Sequence, residues 1–299
     1  MKILLLGSTG QVGSELIAWF ANSKHEILSL SRKECDLLDP QKVFPALAQF
    51  EVDLVVNAAA YTAVDRAEDE VELAKQINGY SIKEVANYCQ SRNIPLIHFS
   101  TDYVFDGLKS EGYTEEDLTN PKSAYGHSKL LGEQLIQAHL GKHLILRVSW
   151  VFSKNRQNFV KTILRLANTR EELGIVADQW GRPTAAKDIA RVIDTIIQKL
   201  DAGGFNNWGI YHYASQGPTN WYEFATSFLK VAKDRGYPLL LNRLQAIKTE
   251  EYPTKAQRPK NSVLITNKIE KIFNIECAHW DNYLLEVIDQ SMQEEIRRP

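Results

Sequence analysis

Cysteine is scarce in this 299-residue chain and odd in number: Cys35, Cys89 and Cys277, with no Cys-x-x-Cys pair. That count disfavours a disulfide framework or a structural zinc and suits a reducing compartment, so the cytoplasm is the expected location. Long apolar runs are missing too, none approaching the roughly 18 residues of a membrane helix. Met1-Lys2 leads straight into Ile3-Leu4-Leu5-Leu6-Gly7, too short for a signal peptide and readable as a strand. Neither sign of charge prevails, with 35 Lys plus Arg against 37 Asp plus Glu and a formal charge of −2. Without a basic block, binding to generic nucleic acid is disfavoured, because it depends on neutralising several phosphates. Repeats and low-complexity tracts are absent, and the short charge runs Glu68-Asp69-Glu70 and Arg297-Arg298 read as solvated faces or ends. What is present is 44% apolar residues, enough for one large core or two domains. A small-molecule enzyme fits that balance.

The first half alternates apolar runs with amphipathic stretches. Ile3 to Leu6, Glu26 to Leu30, Leu54 to Asn57, Leu96 to Ser100 and Leu144 to Val148 are strand candidates, rich in Val, Ile and Leu and expected to be buried on both faces. Between them, helices are expected at Val12 to Asn22, Pro40 to Phe50, Val71 to Arg92 with a split near Gly79, and Ala124 to His139. The pattern predicts a Rossmann-type α/β fold, a doubly wound parallel sheet with helices on both faces. After Trp150 the alternation loosens, with helices expected at Asn158 to Asn168, Lys187 to Leu200, Trp221 to Asp234 and Asp281 to Glu295. Residues 1–150 then form a dinucleotide-binding domain, completed by chain from 185–215, and 151–299 a smaller mixed substrate domain.

Gly7-Ser8-Thr9-Gly10-Gln11-Val12-Gly13 follows the first strand and opens a helix. Gly7, Gly10 and Gly13 supply a tight turn, backbone approach to a pyrophosphate without a Cβ, and close helix packing, while the helix N-terminus presents free N–H groups. The second strand ends Leu28-Ser29-Leu30-Ser31-Arg32-Lys33, without the acidic residue that would hold a ribose 2′-OH. Ser31 and Arg32 suit a 2′-phosphate, so NADPH is favoured and NADH left open. Cys35-Asp36-Leu37 follows, with Asp36 placed to accept from the adenine amine.

Tyr125-Gly126-His127-Ser128-Lys129 sets Tyr and Lys at i and i+4 on one face of a predicted helix. A nearby ammonium can draw a phenol from its ordinary pKa near 10 toward 7, at about 4 kcal/mol, making it a proton donor to a ketone or an acceptor from an alcohol. Ser100 to Gly107 follows the fourth strand at the sheet edge where such folds bind ligands, and Thr101 there could hydrogen-bond a reacting carbonyl.

These motifs, with Asn57 to Asp65, Arg147 to Phe152, Asp178 to Thr184 and Arg258 to Ser262, resemble the extended short-chain dehydrogenase/reductases. Within that superfamily the chain is similar, nearly end to end, to the dTDP-4-dehydrorhamnose reductase family. The resemblance implies hydride transfer from a reduced nicotinamide to C4 of a 4-keto-6-deoxy sugar carried on dTDP. It implies Tyr125 as proton donor, Lys129 on the nicotinamide ribose, and Thr101 orienting the carbonyl. Gly10, Gln11 and Val12 would hold the pyrophosphate, Ala60, Tyr61 and Thr62 would line the nicotinamide side, and Asp102, Tyr103 and Trp150 would touch the sugar nucleotide. Arg182, Arg258 and Lys260 are candidates for the diphosphate. Mg²⁺ is associated with some family members at subunit contacts, and Glu15 matches an acidic position there; both the ion and a homodimer stay open. Two other functions also stay open: a sister sugar-nucleotide epimerase or dehydratase, and a non-catalytic nucleotide-binding regulatory subunit. Tyr103 stands where the dehydratases carry a Glu, which disfavours elimination of water.

Overall fold

The computed structural model describes residues 1–297; Arg298 of the terminal charge pair lies outside them. In chain order the elements are β1 (Lys2–Leu6), α1 (Gln11–Phe20), β2 (Glu26–Leu30), α2 (Pro40–Leu47), β3 (Leu54–Asn57), α3 (Val64–Ala67), α4 (Val71–Lys75), a π-helical segment (Gln76–Tyr80), α5 (Ser81–Arg92), β4 (Leu96–Thr101), α6 (Ala124–His139) and β5 (His143–Val148). Then come β6 (Val151–Phe152), α7 (Phe159–Thr169), β7 (Glu172–Val176), β8 (Trp180–Gly181), β9 (Thr184–Ala185), α8 (Ala186–Asp201), β10 (Gly209–Tyr213), β11 (Thr219–Asn220), α9 (Trp221–Asp234), β12 (Arg243–Ile247), α10 (Asn267–Phe273) and α11 (Leu284–Ile296).

Six parallel strands form the main sheet in the order β10-β5-β4-β3-β1-β2. The order reverses at β1, since the chain runs first to β2 and then back past β1 to β3. Loops leaving the carboxyl ends of β1 and β3 diverge there and leave a crevice. The pleat of β1 divides its side chains between two cores. Ile3 and Leu5 pack with Leu16 and Phe20 of α1 and with Ile189, Ile193 and Ile197 of α8. Leu4 and Leu6 pack with Val43 and Leu47 of α2, Val85 of α5 and Ile136 of α6. β3, β4 and β5 are buried throughout, as expected, but β2 is not. It is the edge strand, and Glu26 and Ser29 face solvent.

The expected split near Gly79 is a change of pitch rather than a break, because the π-helical segment joins α4 to α5. It lies tight against α6: a Cβ on Gly132 would stand 2.2 Å from the Asn78 carbonyl oxygen, and one on Gly79 would stand 2.6 Å from Leu131 Cδ2. A third core joins α7, α9 and α11 through Val160, Leu164, Phe224, Phe228 and Ile288, with Leu173 and Ile175 of β7. There β7 pairs in parallel with β12, Glu172 opposite Arg243 and Val176 opposite Ile247.

Candidate active site

The glycine turn closes on backbone. Gly7 sits at φ +77°, where only glycine is unstrained, and a Cβ there would lie 2.5 Å from the Ala59 amide nitrogen; one on Gly13 would lie 2.2 Å from the Gly7 carbonyl oxygen. Gly10 precedes α1 without a side-chain cap, so the N–H groups of the first turn are left to a ligand. Below the turn lies a cavity of about 250 Å³ lined by Gly7, Gly10, Ser31, Arg32, Asp36, Leu37 and Ala60. These are predicted cofactor residues, and Thr9, Cys35, Ala58, Ala59 and Ile77, which sequence reasoning passed over, join them. A buried, unpartnered Gln11 Oε1 borders the same turn. The cradle fits a dinucleotide pyrophosphate.

At the end of β2 the Glu34 carboxylate accepts from the Ser31 amide at 2.6 Å and from the Ser31 hydroxyl. Arg32 pairs with Asp36 at 3.3 Å but is largely exposed, so it is free to leave for a phosphate. Asp36 also accepts from the Leu38 amide at 3.0 Å. Tyr61 turns its hydroxyl onto Glu70 at 2.5 Å while Asn78 holds its backbone N–H and carbonyl, at 2.8 and 3.0 Å. Thr62 is exposed.

Tyr125 is placed by the start of α6. Ser123 caps the helix through the Gly126 amide at 3.1 Å, and Glu68 accepts from the Ala124 amide at 2.8 Å, an acid at the positive end of the helix. The acidic run is thus more than a solvated face, since Asp69 pairs with Lys255 and Glu70 with Arg66 and Tyr61. Gly126 lets the loop after β4 approach, for a Cβ would meet the Tyr103 carbonyl oxygen at 2.3 Å. The rings of Tyr103 and Tyr125 meet edge to face at 5.7 Å. Thr101 donates to Asp102 at 3.0 Å, accepts from the Tyr103 amide at 3.2 Å and faces the Tyr125 phenol.

Burial dominates the electrostatics here. It pushes Tyr125 up to about 12, even though the Thr101 hydroxyl favours the phenolate. The expected shift toward 7 is not seen: burial prevails, and Lys129 Nζ lies 2.7 Å from the Phe99 carbonyl oxygen and 3.2 Å from His98 Nε2. Burial lowers Lys129 to about 8 and raises Asp102 to about 6, against the opposing hydroxyls of Ser262 and Thr101. Asp102 Oδ2 is buried without a hydrogen-bond partner.

A larger cavity, about 530 Å³, opens between α7, β7 and the late loop, with Phe159, Val176, Gln179, Trp221, Tyr252 and Arg258 among its walls. Only Arg258 of these was a sequence candidate. It pairs with Asp65 at 3.1 Å and keeps a buried Nε without a partner.

The model of the RmlD substrate binding domain family matches residues 1–293. The chain belongs to that family. A dTDP-4-dehydrorhamnose reductase of Aggregatibacter actinomycetemcomitans is 40% identical over 95% of this chain and 97% of its own. The crystal structure of a dTDP-4-dehydrorhamnose reductase of Clostridium acetobutylicum superposes with a TM-score of 0.88 at 35% identity, covering 97% of this chain and 99% of that one. One from Bacillus anthracis, in complex with NADP, gives 0.88 at 32% identity over the same shares.

Within this family fold, other candidates sit apart from both cavities. Arg182 is a buried strut, donating to the carbonyls of Ser215 and Leu264, each at 2.6 Å. Its Nε and Nη1 are held by backbone, and it lines neither cavity. Lys260 lines a separate surface cleft with Lys109 and Trp180. Trp150, at φ +47°, packs on Gly181 and stacks on Trp221 with ring centroids 3.4 Å apart, so Trp221 rather than Trp150 faces the larger cavity. Glu15 is buried and accepts from Asn155 at 2.9 Å, with Lys154 and Lys187 as neighbouring cations. Among the described residues no group of three His, Cys, Asp or Glu could hold a metal. Glu286 is the other acid beside Glu15 but is paired with Lys187 at 2.6 Å, and two carboxylates among two lysines do not fit Mg²⁺.

Proposed function

We propose that this chain reduces the C4 ketone of dTDP-4-dehydro-L-rhamnose to dTDP-L-rhamnose with NADPH, Tyr125 being the proton donor. One observation carries this reading: Tyr125, Thr101 and Lys129 meet at the carboxyl end of β4, on the sheet edge that also bears the dinucleotide cradle. The names of the relatives agree with it.

NADPH, when bound, supplies the hydride to the ketone carbon. Tyr125 holds its proton at Oη at neutral pH, because burial keeps the phenol neutral, and gives it to the carbonyl oxygen as negative charge develops there. The Thr101 hydroxyl aligns that oxygen. Lys129 would reach the nicotinamide ribose, and Ser31 and Arg32 would take the 2′-phosphate once Ser31 leaves Glu34 and Arg32 leaves Asp36. Gln11, Val12 and the three glycines hold the pyrophosphate, with Ala60, Tyr61 and Thr62 along the nicotinamide side. Asp102 and Tyr103 touch the sugar, Trp150 acts through the Trp221 face it supports, and Arg258 offers its free Nε to the diphosphate.

The division of labour follows the cores: 1–150 with α8 and β10 for the dinucleotide, most of 151–299 for the sugar nucleotide. No helix among the described residues is long and apolar enough to cross a membrane, and a cytoplasmic location completes the proposal. The purified protein should oxidise NADPH only when the dTDP-4-keto-6-deoxy sugar is present, and NADH more slowly. Nicotinamide absorbance that stays constant with that sugar present would sink the reading.

A further inference from the structure

His98 has no part in the roles given so far. Its imidazole is buried in β4, one nitrogen 2.9 Å from Asn57 Nδ2 and the other 3.2 Å from Lys129 Nζ. The direction of these bonds follows from one fixed end. The Ala59 backbone N–H donates to Asn57 Oδ1 at 3.0 Å, which makes the other amide atom of Asn57 the NH₂ group. Asn57 Nδ2 therefore donates to His98 Nδ1, and Nδ1 carries a lone pair. Burial holds the ring neutral, well below its ordinary pKa. Its one proton lies on Nε2, aimed at Lys129 Nζ. An ammonium has three N–H donors and no lone pair. One donor of Lys129 serves the Phe99 carbonyl at 2.7 Å; an N–H pointing at the same nitrogen from His98 favours the amine.

We propose that His98 is a positioning residue for Lys129: held by Asn57 with Nε2–H outward, it engages the lone pair of the amine, so that Lys129 exchanges a proton instead of standing as a permanent cation. This rests on the reading of Tyr125 and Lys129 as the working pair. The other groups around Lys129 are accounted for. Glu133, one turn on in α6, favours the cation, but Arg147 of β5 neutralises it through two hydrogen bonds at 2.9 and 2.6 Å. Arg147 in turn reaches His212 of β10 at 3.3 Å, a ring that burial keeps neutral. Tyr125 is a neutral phenol, and Asp102 faces Tyr125. Asn57 and Phe99 bring only neutral dipoles.

The tautomer can be read without turnover. Protein with ¹⁵N in its histidine rings, free of cofactor and substrate, should show His98 as the neutral Nε2–H form across neutral pH, its signal identified by its loss in His98→Gln. An Nδ1–H tautomer or a charged ring overturns the proposal. His98→Gln, which adds no charge, can turn an amide oxygen toward Lys129 and so replaces the donor facing it with an acceptor. It should move the Lys129 limb of the kcat/KM profile upward by about one pH unit, with KM for the sugar nucleotide within about twofold. Reduced turnover with the limb in place would mean that His98 only packs, and would also overturn it. Absence of any reductase activity with an intact Nε2–H tautomer would instead fault the assignment of the reaction.

Discussion

A proton donor has to be protonated before the reaction, and Tyr125 meets that condition by burial. Its phenol is pushed up to about 12, while Lys129, which was expected to pull it down, is held by the Phe99 carbonyl and His98. Tyr125→Phe should therefore keep cofactor affinity and lower turnover by about 10² to 10⁴ in a steady-state assay; unchanged turnover would place the proton elsewhere. Asp102 offers a test independent of catalysis. Its folded pKa, about 6, lies above the ordinary 3.8. The folded state then binds more protons than the unfolded state between those values, so this group's contribution to stability is full at low pH and is lost as pH rises through 6. Asp102→Asn removes the titration. The variant's stability relative to the parent should rise by about 2 to 3 kcal/mol between acid and neutral pH, read from denaturant unfolding at each pH. A difference independent of pH would show that Asp102 ionises normally.

The strands of the sheet core are legible as apolar runs because parallel strands covered on both faces have no polar side to show, and α6 and α9 begin and end where periodicity predicts. The π-helical segment is not legible, since one inserted residue leaves the apolar pattern nearly intact. Yet it aims Asn78 at the Tyr61 backbone and at Ser128 Oγ, 3.0 Å away. Asn78→Ala should cost about 1 to 3 kcal/mol of stability, because a buried amide and carbonyl lose their partner. It should also raise the KM for NADPH; an unchanged KM would separate the segment from the cofactor loop. The residues that line the cradle beneath the glycine turn stand out in the sequence because they are contiguous stretches at strand ends. Arg182, Trp150 and His98 do not, for each is defined by partners far along the chain: Ser215 and Leu264, Trp221, and Asn57 with Lys129. The β7–β12 pairing spans too much chain for local pattern to reveal.

Across the whole molecule, the near-neutral total conceals a sorted distribution. Arg258 and Lys255 of the late loop pair with Asp65 and Asp69 at the dinucleotide side, tying the wall of the larger cavity to α3 and its neighbouring turn. Buried ionic groups sit where the elements converge, with Glu133 and Arg147 between α6 and β5 and Asp188 bonded by Tyr213, Tyr283 and Arg191. The scarcity of cysteine fits this economy: all three are buried, and burial raises each thiol, so none is set up as a nucleophile. The proposed chemistry rests instead on Tyr125, Thr101 and Lys129 near the end of β4. Net hydride transfer to C4 of the sugar leaves an isotopic record. With NADPH carrying deuterium at the transferring position, the product should be the dTDP-6-deoxyhexose with one deuterium at C4 and an equivalent of oxidised cofactor. Unlabelled product with the deuterium still on the cofactor, as a retained-cofactor epimerase would give, would contradict it.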